Sequence, residues 1–498
     1  MSTPSPSAVT LPRGSSPVSL APILFFVGAV SCCFGIAMLA PVLIDLADGH
    51  EDYLIFLVCA GGTLFVGAGI AIATYDRSQQ INLNETLLLL PLTWITASVV
   101  AALPFMLSDL QLPLADALFE SVSGLTNTGS TVVKGLDGLP RGLLLWRFLL
   151  QWIGGFGVVT IAVLALPFLR IGGLQLFSLD LSPNSTKFVP RITEVVTQIG
   201  VIYIALTVIC AACYWLAGMT PFDAIGHAMT TLATGGYSSH DASLGFFQSA
   251  AIEWIAVVFM IMGAMPFGLY IATIYGRTDA LLRDDQVRLF LGIILGAVLL
   301  VALWRMIEHG ASPGTAIREA AFATVSTITT TGFTAYDFSA WGGFAEAVML
   351  LLMLIGGCSG STVGGIKVFR ILAMLKQLRA QLHRQIYPHG TFRVTFNGEN
   401  IPEVIRVAIA SYVFIYLLLL TALTLAIAFS GLDFRESLGA AATALGNNGP
   451  GLGPNSGPCC TFAEVPTPVK WLMSFGMLAG RLEILVLLIP FSRAFWRN

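Results

Sequence analysis

Four glycines close hydroxyl- and amide-rich stretches: Gly129 in TNTGS, Gly236 in ATGGY, Gly332 in TTTGF and Gly449 in GNNGP. Thirteen residues before each stands a carboxylate (Asp116, Asp223, Glu319, Glu436), and six before each a hydroxyl (Ser123, Thr230, Ser326, Thr443). A dehydrated cation needs its water replaced by oxygens. Backbone carbonyls do this where the chain takes an extended, partly left-handed path that mostly glycine tolerates. The candidate ion-binding residues are therefore Thr126, Asn127, Thr128 and Gly129; Ala233, Thr234, Gly235 and Gly236; Thr329, Thr330, Thr331 and Gly332; and Gly446, Asn447, Asn448 and Gly449. Their short polar side chains suit a pinned, non-helical backbone, and K+ or Rb+ is the cation such carbonyl rings usually select. One Thr-Gly dipeptide is an ordinary loop. Four in register form an internal repeat, and fourfold repetition in an apolar chain builds a pore.

The elements that must position these stretches are membrane spans. Of 498 residues 56% are hydrophobic and only 11% charged, with mean hydropathy +0.81. Soluble domains carry about 25% charged residues, so the composition is that of an all-α polytopic membrane protein. Ten runs are long enough to span: 20–46, 53–73, 86–107, 143–169, 195–216, 252–275, 287–306, 345–372, 404–429 and 469–491. The first reads as a retained span rather than a cleaved signal. Lys and Arg cluster at 170–191, 277–288 and 367–406, which places those loops in the cytoplasm and the glycine stretches on the outer side. A net charge of −3 points to no nucleic-acid partner.

Residues 1–83 form a tail and two extra spans, and the pore repeats occupy 84–169, 190–276, 285–380 and 400–498. Within each repeat a segment of about ten residues runs from the carboxylate towards the glycine. As a helix it covers only about 15 Å, half a bilayer, and predicts a re-entrant pore helix. A carboxylate in its first turn suits the positive end of the helix dipole. The negative ends of four such helices would face a cation.

Gly356, Gly357, Gly360, Gly364 and Gly365, with Ser361 and Thr362, interrupt the span at 345–372, and Lys367 follows them. Such a run unwinds a helix at membrane depth; close helix crossing by small residues is the plainer alternative. Arg481 lies inside the last apolar run, where a charge costs at least about 2.5–3.5 kcal/mol and normally faces an interior or aqueous path. Glu483, two residues on, points to another helix face, so the two are not expected to pair. Arg147 and Glu253 stand at span ends and are expected to snorkel. Cys210 and Cys213 lie in an apolar span and read as packing, whereas Cys459 and Cys460 occupy an outer loop and could oxidise.

The motifs FESVSGLTNTG, ATGGYSSHDAS, ITTTGFT and NNGPGLG resemble the membrane subunit of the bacterial Trk potassium-uptake system, in the superfamily that includes Ktr and plant HKT transporters. LLQWIGGFGV, IGGCSGSTVGGIKVFRI and GRLEILVLL extend the resemblance over nearly the whole chain, and the two leading spans fit Trk rather than Ktr. The resemblance implies that Gly129, Gly236, Gly332 and Gly449 are selectivity-filter glycines and that 356–365 is an intramembrane gating loop. Lys367 would mark the loop's cytoplasmic end, and Arg481 an electrostatic barrier below the filter. It also implies a homodimer in the inner membrane with one pore per protomer. A cytosolic TrkA-like nucleotide-binding subunit would regulate it, so any nucleotide belongs to the partner. GNN before Gly449 and GSTVGG at 360–365 depart from the usual NNL or NNM and GSTGGG.

Three rivals stand beside a K+ channel. H+- or Na+-coupled K+ symport would usually place a titratable group at midplane, and few are present. A poorly selective K+/Na+ transporter is the second. A haem or quinone enzyme would want paired intramembrane histidines, but the six histidines are scattered and no catalytic constellation is visible.

Overall fold

A computed structural model describes residues 19–76, 82–165, 192–453, 456–458, 460–493 and 495–496. Among the described residues seven helical segments are long and apolar enough to cross a membrane: Leu20–Asp48, with an interruption at Met38, Asp52–Ala73, Asn84–Leu107, Arg141–Thr160, Thr193–Leu216, Asp285–His309 and Glu403–Phe429. Many of their side chains, Phe65, Leu216 and Phe429 among them, are exposed. In a bilayer that exposure faces lipid. The chain is a multi-pass membrane protein.

The other three expected spans are broken. Ala250–Gly263 and Phe267–Ile274 meet at 88°, and Thr467–Arg481 and Ile484–Phe491 at 116°. The helix Gly343–Ile355 stops at Gly356, and a new helix, Val368–Ile386, starts only after the glycine run. Pro266 accounts for the first break, since it has no N–H to continue a helix. The freed groups find partners in the glycine run: Phe267 N donates to Gly360 O at 3.0 Å, and Cys358 N donates to Ala264 O at 3.2 Å. Irregular backbone persists at this depth because protein satisfies it. The second break falls at Glu483, whose φ of +61° is left-handed.

Four short helices lie between the long ones: Leu114–Leu125, Pro221–Leu232, Pro313–Ile328 and Phe434–Gly446. Asp116, Asp223 and Glu436 sit in their first turns, as expected. Glu319 does not. Its helix begins at Pro313, capped by Ser312, so Glu319 lies in the second turn and is paired with Arg305 instead of serving the dipole. Ser-Pro is a start signal that the carboxylate count had masked.

The two leading helices dock on the helix Arg141–Ala165. A Cβ on Gly28 would lie 2.7 Å from Gly67 O, so they touch backbone to backbone, and Phe34 and Phe56 both meet the edge of Trp146. One departure from an all-helical chain is a small hairpin, Thr395–Phe396 with Glu399–Asn400. Asn397 and Gly398, both at positive φ, form its turn.

Candidate ion-binding site

All four short helices end at one place, and there the chain follows the same path four times. The residue two before each glycine is left-handed: Asn127 (φ +55°), Thr234 (+53°), Thr330 (+51°) and Asn447 (+53°). The amide just before each glycine then turns back to the carbonyl of the residue six before it. Thr128 N reaches Ser123 O, Gly235 N Thr230 O, Thr331 N Ser326 O and Asn448 N Thr443 O, at 2.9–3.0 Å. The repeated hydroxyl closes the motif. Ser123, Thr230, Ser326 and Thr443 donate to the carbonyls of Ser130, Tyr237, Phe333 and Pro450, the residues after the glycines, at 2.6, 2.9, 2.7 and 2.8 Å. This explains the hydroxyl six residues back: it ties the outgoing strand to the helix it came from.

The four stretches close into a ring. A Cβ on Gly129 would lie 2.1 Å from Gly235 O, one on Gly236 2.0 Å from Thr331 O, and one on Gly332 2.8 Å from Gly449 Cα. A Cβ on Gly449 would come within 3.5 Å of Gly129 O, completing the circuit. Amide side chains stitch neighbouring stretches together. Asn127 Nδ2 donates to Ala233 O at 2.9 Å, Asn447 Nδ2 to Thr128 Oγ1 at 3.1 Å and Asn448 Nδ2 to Thr327 O at 2.8 Å. Thr126 and Thr329 play matching parts, each hydroxyl meeting that of Thr128 or Thr331 at 2.8 Å. Ala233 has no polar side chain and packs near Gly155. Replacing Thr443 by Val keeps the shape but removes one donor. We expect this to cost about 1 kcal/mol, read as a lower thermal midpoint of the purified protein than for the wild type.

On one side of the ring lies a cavity of about 500 Å³ whose lining includes Gly129, Gly236, Gly332 and Gly449. Its wall carries His240, whose ring meets the Asp137 carboxylate at 2.5 Å, a tie between the loops that follow Gly129 and Gly236. The hydrogen bond from His240 holds the Asp137 carboxyl below its ordinary range. This tie contributes above that range and weakens as pH falls through it.

On the other side lies the glycine run. Gly364 N donates to Thr330 Oγ1 at 3.2 Å, Thr362 Oγ1 meets Thr234 Oγ1 at 2.9 Å, and a Cβ on Gly364 would lie 2.3 Å from Gly446 O. Gly356, Gly360 and Gly365 have positive φ, and Gly357 abuts Val363; Ser361 Oγ donates to Cys358 O. The loop thus touches three of the four stretches. Arg481, 7% exposed, reaches both the loop and the remaining stretch, the first, donating to Thr362 O at 2.7 Å and Asn127 Oδ1 at 3.1 Å. Among the described residues no carboxylate lies within 4.0 Å of its guanidinium. Glu483 instead holds Lys367 at 3.3 Å together with Arg370. As the spacing implied, Arg481 and Glu483 point apart.

Two expectations fail. Arg147 does not snorkel: it is 1% exposed, donates to Glu120 Oε1 at 2.9 Å and to Ser238 O at 2.9 Å, and lies over the Tyr237 ring. Glu253 is likewise buried, accepting from Tyr336 and facing Arg318 at 3.4 Å. Distant parts of the chain supply these partners, so the apolar burial is compensated. Sequence reasoning also passed over Gln151, whose Nε2 donates to Gly235 O at 2.7 Å and whose Oε1 accepts from Tyr237 N. A lone amide in the middle of a span was the available signal. Cys459 lies outside the described residues; Cys210 is buried in its span.

Comparison with known proteins places the chain. A family model, TrkH, described as "Cation transport protein", matches residues 61–497. The chain belongs to the TrkH family. Among this family's members it is 39% identical over 479 residues to the "Trk system potassium uptake protein TrkI" of Halomonas elongata, covering 96% of this chain and 97% of that one. It is 37% identical to the corresponding TrkH of Vibrio parahaemolyticus, over 96% and 99% of the two chains. The fold matches the crystal structure titled for the potassium transporter TrkH from Vibrio parahaemolyticus at a TM-score of 0.89 and 36% identity, covering 96% of this chain and 100% of that one. These TrkH relatives are named as transport proteins and not as enzymes.

Proposed function

We propose that this chain is the K+-translocating subunit of a bacterial Trk-type uptake system. It would sit in the inner membrane as a homodimer and be opened by a cytosolic nucleotide-binding TrkA-like partner. One observation carries this: four glycine stretches with the same left-handed turn converge, with an open cavity on one face and a glycine loop against the other. The repeats 84–169, 190–276, 285–380 and 400–498 each contribute one re-entrant helix and one stretch. K+ enters from the cavity, exchanges its water for the carbonyls of the ring and meets the loop 356–365 together with Arg481. The names of the relatives support K+ uptake, and the cavity, ring and loop in series support a reading of channel-like conduction.

The barrier reading of Arg481 has a measurable consequence. A like charge about 6 Å away at an effective dielectric constant near 20 repels K+ by about 3 kcal/mol. Arg481→Ala should therefore raise basal K+ flux at least about tenfold, measured as ion efflux from proteoliposomes without the partner subunit. Unchanged flux would remove Arg481 from the permeation path.

The proposal itself is tested in a planar bilayer with opposed KCl and NaCl gradients at equal pH. A reversal potential near the K+ equilibrium value, unmoved by a later pH step, supports a selective channel. A potential that follows the pH step means proton coupling, and one near zero means a ring that scarcely separates K+ from Na+.

A further inference from the structure

The four ring glycines are not equivalent. Gly129, Gly236 and Gly332 have φ of +83°, +77° and +82° and are partly open, whereas Gly449 lacks a positive φ and is buried. Pro450 follows it, and a proline ring steers the residue before it towards the extended region. A second difference lies at the carbonyl. Ser130, 2% exposed, donates its hydroxyl to Gly449 O at 2.9 Å. Among the described residues the carbonyls of Gly129, Gly236 and Gly332 accept no hydrogen bond. The positions matching Ser130 are Tyr237, Phe333 and Pro450. Tyr237 has a hydroxyl too, but it points away, to Glu120 O at 2.9 Å. Among the described residues, therefore, the one donor to a ring-glycine carbonyl comes from the first stretch.

We infer that Ser130 is a specificity-determining residue, whose hydroxyl weakens the Gly449 carbonyl as a ligand and so favours K+ over Na+. The inference rests on reading the ring as the ion filter. A carbonyl that accepts a hydrogen bond has less lone-pair density to offer a cation. Ligand field strength is one of the quantities that sets K+ against Na+ in carbonyl sites: a strong field compensates the costly dehydration of the smaller ion, a weak field does not. Ser130 Oγ also fixes the direction of an oxygen that Pro450 has already turned away from the common geometry.

The test is initial uptake of Rb+ and of Na+, measured side by side in potassium-starved bacteria that depend on this chain for K+. Wild type should take up Rb+ far faster than Na+. In Ser130→Ala the Rb+/Na+ ratio should fall about threefold to tenfold, the scale of one neutral hydrogen bond. Ser130→Thr, which keeps the donor, should retain the wild-type ratio. An unchanged ratio in Ser130→Ala overturns the inference, and so does an equal fall in Ser130→Thr, which would make shape rather than the donor responsible. If the alanine variant does not reach the membrane, Ser130→Cys, nearly isosteric with only a weak donor, decides in its place. A wild type that takes up Rb+ and Na+ equally would instead sink the filter reading beneath the inference.

Discussion

Gly236→Ala is expected to abolish K+ uptake while leaving the protein folded. Two effects combine at this position. The residue has φ +77°, a conformation that costs an L side chain about 1–2 kcal/mol. Its new Cβ would also stand 2.0 Å from Thr331 O. No real Cβ approaches an oxygen so closely, so the Thr331 carbonyl must turn or the second stretch must withdraw from the third. Either movement opens the ring that the proposed function makes the ion's ligand, and a displaced ligand is felt at once in a close-packed site. The matched control is Gly49→Ala. Gly49 has nearly the same φ, +74°, at a helix end, but nothing lies within 4 Å of its Cβ position. It should lose about 1–2 kcal/mol of stability through the backbone alone and transport normally. Growth of a potassium-dependent strain on low K+ separates the two. Growth supported equally by both variants would mean that K+ does not pass the ring.

Arg147→Met is expected to destabilise the protein more than any substitution at its surface. The guanidinium binds Glu120, Thr131 and Ser238 O and covers the Tyr237 ring, joining the first helix-and-stretch to the second. Glu120 is fully buried, and among the described residues its carboxylate would keep Thr131 and the Val132 amide as partners. Breaking one half of a buried ion pair costs about 3–5 kcal/mol, because the other charge stays behind without compensation. The purified variant should therefore melt several degrees below wild type in detergent. Adding Glu120→Gln to Arg147→Met should recover part of the loss, since the stranded charge is then gone. A double variant no better than the single would place the cost in lost packing around Tyr237 instead.

Much of this molecule was legible along the chain because its main determinants are local. Twenty-residue apolar runs follow from bilayer thickness, and among the described residues seven of the ten expected spans are helical segments long enough to cross a membrane. The carboxylate spacing recurs because a negative charge suits the first turn of a short helix, as at Asp116, Asp223 and Glu436, and the hydroxyl spacing because each stretch is tied back to its own helix. For the hydroxyls at 123, 230, 326 and 443 that logic holds four times out of four. It failed for Glu319, where a Ser-Pro start lengthened the helix and a neighbouring span supplied Arg305.

The sequence by itself thus determined a polytopic helical protein with four glycine stretches in matched register, a broken span at 356–365 and a charge deep in the last run. What only the tertiary structure decided was which groups meet. Arg481 finds Asn127 across 354 residues, Lys470 finds Asp116 across the same separation, and Ser130 finds Gly449 across 319. The order in which the four stretches close their ring belongs to the same class. Periodicity reports which face of an element is apolar, but the partner of a buried charge or a lone hydroxyl is chosen by packing between distant segments, and no spacing along the chain encodes that choice.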